Sequence, residues 1–161
     1  MDETTIWFIV CLVGLPLYFL IKYFATNSHI SSIKLSDIQD DGVKEICDDM
    51  IKLLMFVTNT TQKPKLKFGV LSKEVNVYDG RRLHGAYYGH LKLIVIDLKH
   101  IREENYSIKD LAELVSHEFQ HFVDHLNNIT YDTVGMEICE SRARKFSKKG
   151  QREILSNLTF S

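Results

Sequence analysis

Two histidines four residues apart, His117 and His121, can act on one ligand when the chain between them is helical. Residues at i and i+4 of a helix lie one above the other on the same face. The stretch reads His117-Glu118-Phe119-Gln120-His121, an H-E-x-x-H pentad. Around it Leu111, Leu114, Val115, Phe119, Phe122 and Leu126 recur at helical spacing and predict one buried stripe. Ser107 with Asp110 three residues on resembles a capping box, so the helix is expected to open there. It is expected to end near Asn127-Asn128. On such a face two imidazoles can grip one metal ion, with Glu118 beside them as general base. That chemistry belongs to zinc hydrolases, most often peptidases.

Zinc needs a third protein ligand and an open position. His125, Glu137 and Glu140 are the candidates. From His117 to His125 a straight helix rises about 12 Å, against a metal–nitrogen bond of about 2 Å, so His125 does not qualify. Glu140 lies on the next expected helix, which can return past the first and bring a carboxylate to the metal. Glu137 stands three residues earlier on the same face and is the second choice. For either, the ordinary alternative is a solvated carboxylate paired with Arg142 or Arg144. Asp124 lies near the His117 face and can orient an imidazole through its second ring N–H. Tyr87, Tyr88, His90 and Tyr131 are candidate donors to an oxyanion.

His117-Glu118-x-x-His121-x-x-Asp124-His125, followed by Cys139-Glu140-x-Arg142-Ala143, resembles the minimal gluzincin metallopeptidases. Within them it is similar to the Atp23 family of inner-membrane-associated mitochondrial peptidases, which mature an ATP synthase subunit and assist its assembly. Residues 85–147 carry the resemblance. Cys139 stands one residue out of that family's register, and the family's other cysteines are missing here. Domestication-type peptidases of bacteria and phages also carry H-E-x-x-H with a later E-x-x-A-x-x-F, matched by Glu140, Ala143 and Phe146. The resemblance implies a small zincin-like α+β domain, Zn2+ held by His117, His121 and Glu140, and catalysis by Glu118. The matching residues do not bear on the ATP synthase substrate.

The rest of the chain frames that domain. Ile6 to Phe24 reads IWFIVCLVGLPLYFLIKYF, with no charge before Lys22. Its nineteen residues would span about 28 Å as a helix, close to a bilayer core. A cleaved signal peptide wants a basic start, and here the start is Asp2-Glu3. A buried core helix wants a polar face, and this segment has none. The reading is a single transmembrane anchor at 6–24, a polar linker at 25–35 and a catalytic domain at 36–161. Lys22 and Lys34 follow the span, which places the domain on the cytoplasmic or equivalent side. A net charge of -1 gives no reason to expect nucleic acid as a partner. Three cysteines without a C-x-x-C pair predict neither a disulfide framework nor a cysteine zinc site. Asn59, Asn105, Asn128 and Asn157 each begin an N-x-[ST] sequon, read as accidental.

A helix is expected over Asp40 to Val57, with Val43, Ile46, Cys47, Met50, Ile51 and Leu54 as its apolar stripe. Strands are expected at Leu66–Leu71, Val75–Tyr78 and Leu91–Asp97, with a turn at Asp79-Gly80. Gly85 to Gly89 reads as an irregular or edge strand, and an extended peptide could add to the sheet edge along Gly85 to Leu91. With no helical crossovers between them, these strands are expected to be mainly antiparallel. After the pentad helix, a helix from Gly135 to Lys148 is expected to stop at Gly150, with a short one over Gln151 to Leu158. The expected function is that of a membrane-anchored zinc endopeptidase, using zinc-activated water and Glu118 on protein or peptide substrates near the bilayer. A catalytically silent zinc-binding assembly factor at a membrane is the alternative.

Overall fold

The computed structural model describes residues 29–71 and 82–158. The expected anchor at 6–24, the strand at Val75–Tyr78 and the Asp79-Gly80 turn lie outside them. Among the described residues no helix is long and apolar enough to cross a membrane.

The fold is α+β. In chain order it runs α1 (Asp40–Val57), β1 (Lys65–Phe68), β2 (Gly85–Tyr88), β3 (Leu93–Ile96), α2 (Leu98–Glu103), α3 (Ile108–Leu126), α4 (Tyr131–Val134) and α5 (Met136–Asn157). The strands form one sheet in the order β1-β3-β2. β3 is central and reads Leu-Ile-Val-Ile, with Ile94, Val95 and Ile96 buried. An unbroken apolar run is what a strand covered on both faces requires.

The sheet corrects the expectation of a mainly antiparallel arrangement. β2 pairs antiparallel with β3, from Gly85 opposite Ile96 to Tyr88 opposite Leu93. β1 pairs with β3 in parallel, from Lys65 opposite Leu93 to Phe68 opposite Ile96. The spacing rule holds for β2 and β3, which are neighbours in sequence. It fails for β1 because its partner is not the next strand, and the residues between, β2 among them, make the return that a parallel pair needs.

The core lies between the helices and this sheet. α1 buries Val43, Cys47, Met50, Ile51 and Leu54, and α3 buries Leu111, Val115, Phe119 and Phe122. Leu114, Leu126 and Ile46 are partly buried against the same core. Burying a side chain such as Phe119 or Leu54 contributes about 1.5–3 kcal/mol, so these two stripes dominate cohesion. The segment read as linker is described from His29 on, and there it packs. Ile30 and Leu35 are buried, and Lys34 bridges to Ser107 with Leu35 N–H donating to Tyr106 O at 2.9 Å.

Helix ends follow local chemistry. Ser107 caps α3, and its N–H and hydroxyl both donate to Asp110 Oδ2, at 2.8 and 2.6 Å. Asn59, Asn105 and Asn128 all take left-handed backbone, with φ of 53, 58 and 58°. Each stands two residues past the last residue of α1, α2 or α3. The following N–H reaches back to a carbonyl of the last turn: Thr60 to Met55, Tyr106 to Ile101, Ile129 to Asp124. These are Schellman closures, and asparagine tolerates their left-handed residue. That is a structural reason for the asparagine in three of the sequons.

The last third of the chain departs from expectation. α5 is one helix from Met136 to Asn157, and Gly150 lies inside it rather than ending it. A Cβ on Gly150 would stand 2.7 Å from Ser116 Cβ and 3.1 Å from Leu54 Cδ2. The glycine is there for close helix packing, a role that sequence reads the same way as a stop. α2 and α4 have no counterpart among the expected elements; both are short.

Candidate metal centre

α3 and α5 build the centre together. α5 contacts α3 in reverse order: Glu140 meets His117 and His121, Gly150 meets Ser116, and Gln151 Nε2 donates to Lys109 O at 3.0 Å. The two helices are therefore antiparallel neighbours. The reversal passes through Asn128, α4 and Gly135, whose φ of 85° favours glycine.

His117 Nε2 and His121 Nε2 stand 3.2 Å apart. Glu140 Oε2 is 3.5 Å from the first and its Oε1 3.3 Å from the second. Tetrahedral zinc with bonds of about 2.0–2.2 Å holds its ligand atoms about 3.3–3.6 Å apart, so the three side chains fit zinc. Glu137 is exposed and does not join this cluster; Glu140 does.

Charges in the cluster follow from proximity. Hydrogen bonds from His117 and His121 hold the Glu140 carboxyl far below the usual carboxylate range. For His117, burial works against the charged ring, but Glu140 and Glu118 outweigh it and raise its pKa. Glu118 is buried, and burial raises its pKa, opposed by the two imidazoles. The Tyr87 backbone N–H donates to it, which stabilises the ionised form. Glu118 also explains Gly85. A Cβ there would stand 3.2 Å from Glu118 Cγ and 3.1 Å from Leu114 Cδ1, so any side chain at this point of β2 would push on both.

The neighbours expected to assist are sorted by the structure. Asp124 does not orient an imidazole. It is 1 % exposed, and it accepts from Arg142 Nε at 2.9 Å, Arg142 Nη2 at 2.7 Å and Gln120 Nε2 at 2.6 Å. Its role is to clamp α5 to α3 two residues beyond Glu140. His125 lies off the centre, with Nδ1 at 2.8 Å from the Tyr87 hydroxyl. That contact also occupies the Tyr87 phenol. Tyr131 is the phenol at the centre: its hydroxyl donates to Glu140 Oε1 at 3.1 Å, and its ring meets His121 edge-on. None of Tyr88, His90 and Tyr131 lines the cleft itself; Tyr131 meets the centre through Glu140.

No family model, curated protein or solved structure matches this chain. The cleft has a volume of about 1550 Å³ and runs from Glu140, His117 and Glu118 past Gly85 to His84 and Glu104. Small-molecule pockets are typically about 300–1,000 Å³, so there is room for a longer ligand. Sequence reasoning misses Arg142 as the partner of Asp124, Gly85 as the close approach, and the His84 end of the cleft. The available signals are the Asp124 and Arg142 charges on facing helices and a lone glycine opening a strand.

Proposed function

We propose that this protein is a zinc endopeptidase of the gluzincin type, with a zincin-like domain tethered to a membrane by residues 6–24. The observation that carries the reading is the spacing of His117 Nε2, His121 Nε2 and Glu140, 3.2, 3.3 and 3.5 Å, with Glu118 buried beside them. Zinc held there would polarise a scissile carbonyl and make a bound water acidic. Glu118 takes the proton of the attacking water on its carboxylate and returns it to the leaving amine nitrogen. Tyr131, already at Glu140, supplies an O–H to the carbonyl oxygen as charge develops on it. β2 is an edge strand among the described residues, and its start lines the cleft. An extended substrate backbone aligns along it. The anchor confines the enzyme to proteins or peptides near the bilayer.

The test compares wild type and Glu118→Gln, as full chains in detergent, on an unfolded protein substrate with products read by mass spectrometry. The variant keeps zinc and loses about 10²–10⁴-fold in rate. Equal hydrolysis by both chains would defeat the reading. Zinc binding without hydrolysis by wild type would favour a silent assembly factor.

A further inference from the structure

We propose that His84, His100 and Glu104 form a second site for zinc or a similar divalent cation, at the other end of the cleft. His84 Nε2 stands 2.9 Å from Glu104 Oε2, and His100 Nε2 stands 3.2 Å from Glu104 Oε1. The ligand atoms of all three residues lie within 4.8 Å of one another. The two imidazoles are stacked, with centroids 4.9 Å apart and planes within 12°.

The decisive feature is what these nitrogens do not do. Both Nε2 atoms are buried, and neither makes a hydrogen bond despite its distance from the carboxylate. An N–H that serves a carboxylate points at it. Here two nitrogens and a carboxylate converge without that alignment, as ligands around a shared cation do. A cation shared with Glu104 would satisfy both nitrogens, which otherwise face the carboxylate without a hydrogen bond.

The surroundings suit the role. His100 and Glu104 are four apart across the end of α2, so they share a face. His84 is fixed by its carbonyl, which accepts from Asp97 N–H at 2.9 Å, and its ring lies 5.1 Å from Tyr106. On the far side of His100, Nδ1 is 3.6 Å from Glu103 Oε2 and 3.4 Å from Arg82 Nη1. Lys99 Nζ reaches Glu103 Oε1 at 3.9 Å, so Lys99 and Arg82 together balance Glu103 and Glu104. Arg82 can only donate, so its contact makes Nδ1 an acceptor; a metal on Nε2 requires Nδ1 to carry the proton, and that proton would turn from Arg82 toward Glu103 Oε2. Two imidazoles and one carboxylate suit zinc and its neighbours better than magnesium or calcium. A cation here ties the residue before β2 to α2. Because Gly85 presses on Glu118, it also fixes the wall beside the catalytic base.

The test is zinc content of the full chain in detergent after loading and gel filtration, measured by inductively coupled plasma mass spectrometry. Wild type is expected to carry about two ions, and Glu140→Gln and the His84→Ala/His100→Ala pair about one each, the sites being independent. All three changes together leave none. His100→Gln, with circular dichroism unchanged, guards against misfolding and removes the same ion as the pair. One ion in wild type, lost in Glu140→Gln and indifferent to His84 and His100, would overturn the proposal. One ion lost with His84 and His100 but kept in Glu140→Gln would uphold it and refute the H-E-x-x-H centre instead.

Discussion

Arg142→Ala is predicted to damage both stability and metal affinity, although Arg142 touches no ligand of the centre. Asp124 is 1 % exposed and takes two of its three side-chain hydrogen bonds from this guanidinium. Truncating one partner of a buried ion pair typically costs about 3–5 kcal/mol, because a charge is left buried and unpaired. The Arg142 side chain is 45 % exposed, so water can enter where it stood. That lowers the expected loss to about 2–3 kcal/mol. At roughly 3 °C per kcal/mol for a chain of this size, Tm falls by about 6–9 °C. Glu140 sits two residues before Arg142 on α5, so a loosened clamp also weakens zinc by about 10–100-fold. Arg142→Lys keeps the charge but loses the two-pronged bond, and falls between the two. Thermal unfolding by circular dichroism reads the first effect and competition with a zinc chelator the second. Unchanged Tm and unchanged zinc affinity in Arg142→Ala would refute the clamp.

Gly150→Ala is predicted to lower Tm even though alanine favours helix by about 1 kcal/mol, because overpacking against Ser116 costs about 1–3 kcal/mol. A raised Tm in the melt would contradict this. Ser107→Ala removes one side of the capping box and is expected to cost about 1 kcal/mol in urea unfolding, with unchanged slope; no loss of stability would count against the cap. Burial pushes the Cys47 thiol up to about 12. At pH 8 a native sample treated with a thiol reagent should leave Cys47 unmodified by peptide mass spectrometry, and unfolding should expose it. Rapid native labelling would show that the α1 core opens.

Patterns with a strict period are legible in the residues alone. The apolar stripe of Asp40 to Val57 predicts the bounds that α1 takes, because an amphipathic face and its flanks leave little freedom. The same holds for α3 and its Ser107 cap. Glu140 is legible only through the helix-return argument and the resemblance, since no local pattern separates it from Glu137. Sheet direction is not legible, because β1 pairs with a strand that does not follow it. Gly150 and Asp124 take roles other than the expected ones for a single reason. A glycine can end a helix or admit a neighbour, and a carboxylate can face an imidazole or an arginine. Which one occurs is decided by the element across the gap. The cluster of His84, His100 and Glu104 is hidden in the sequence for the same cause, since β3 and α2 must fold before His84 meets the other two.

Zinc K-edge X-ray absorption reads the ligand shell itself. It is best made on the full chain carrying His84→Ala and His100→Ala, so that only the H-E-x-x-H centre contributes. Expected are two imidazole nitrogens at about 2.0–2.1 Å with oxygen completing the shell, and loss of the bound metal in the added variant Glu140→Gln. A zinc-free, well-folded protein, or a shell without imidazole, would contradict the His117-His121-Glu140 centre.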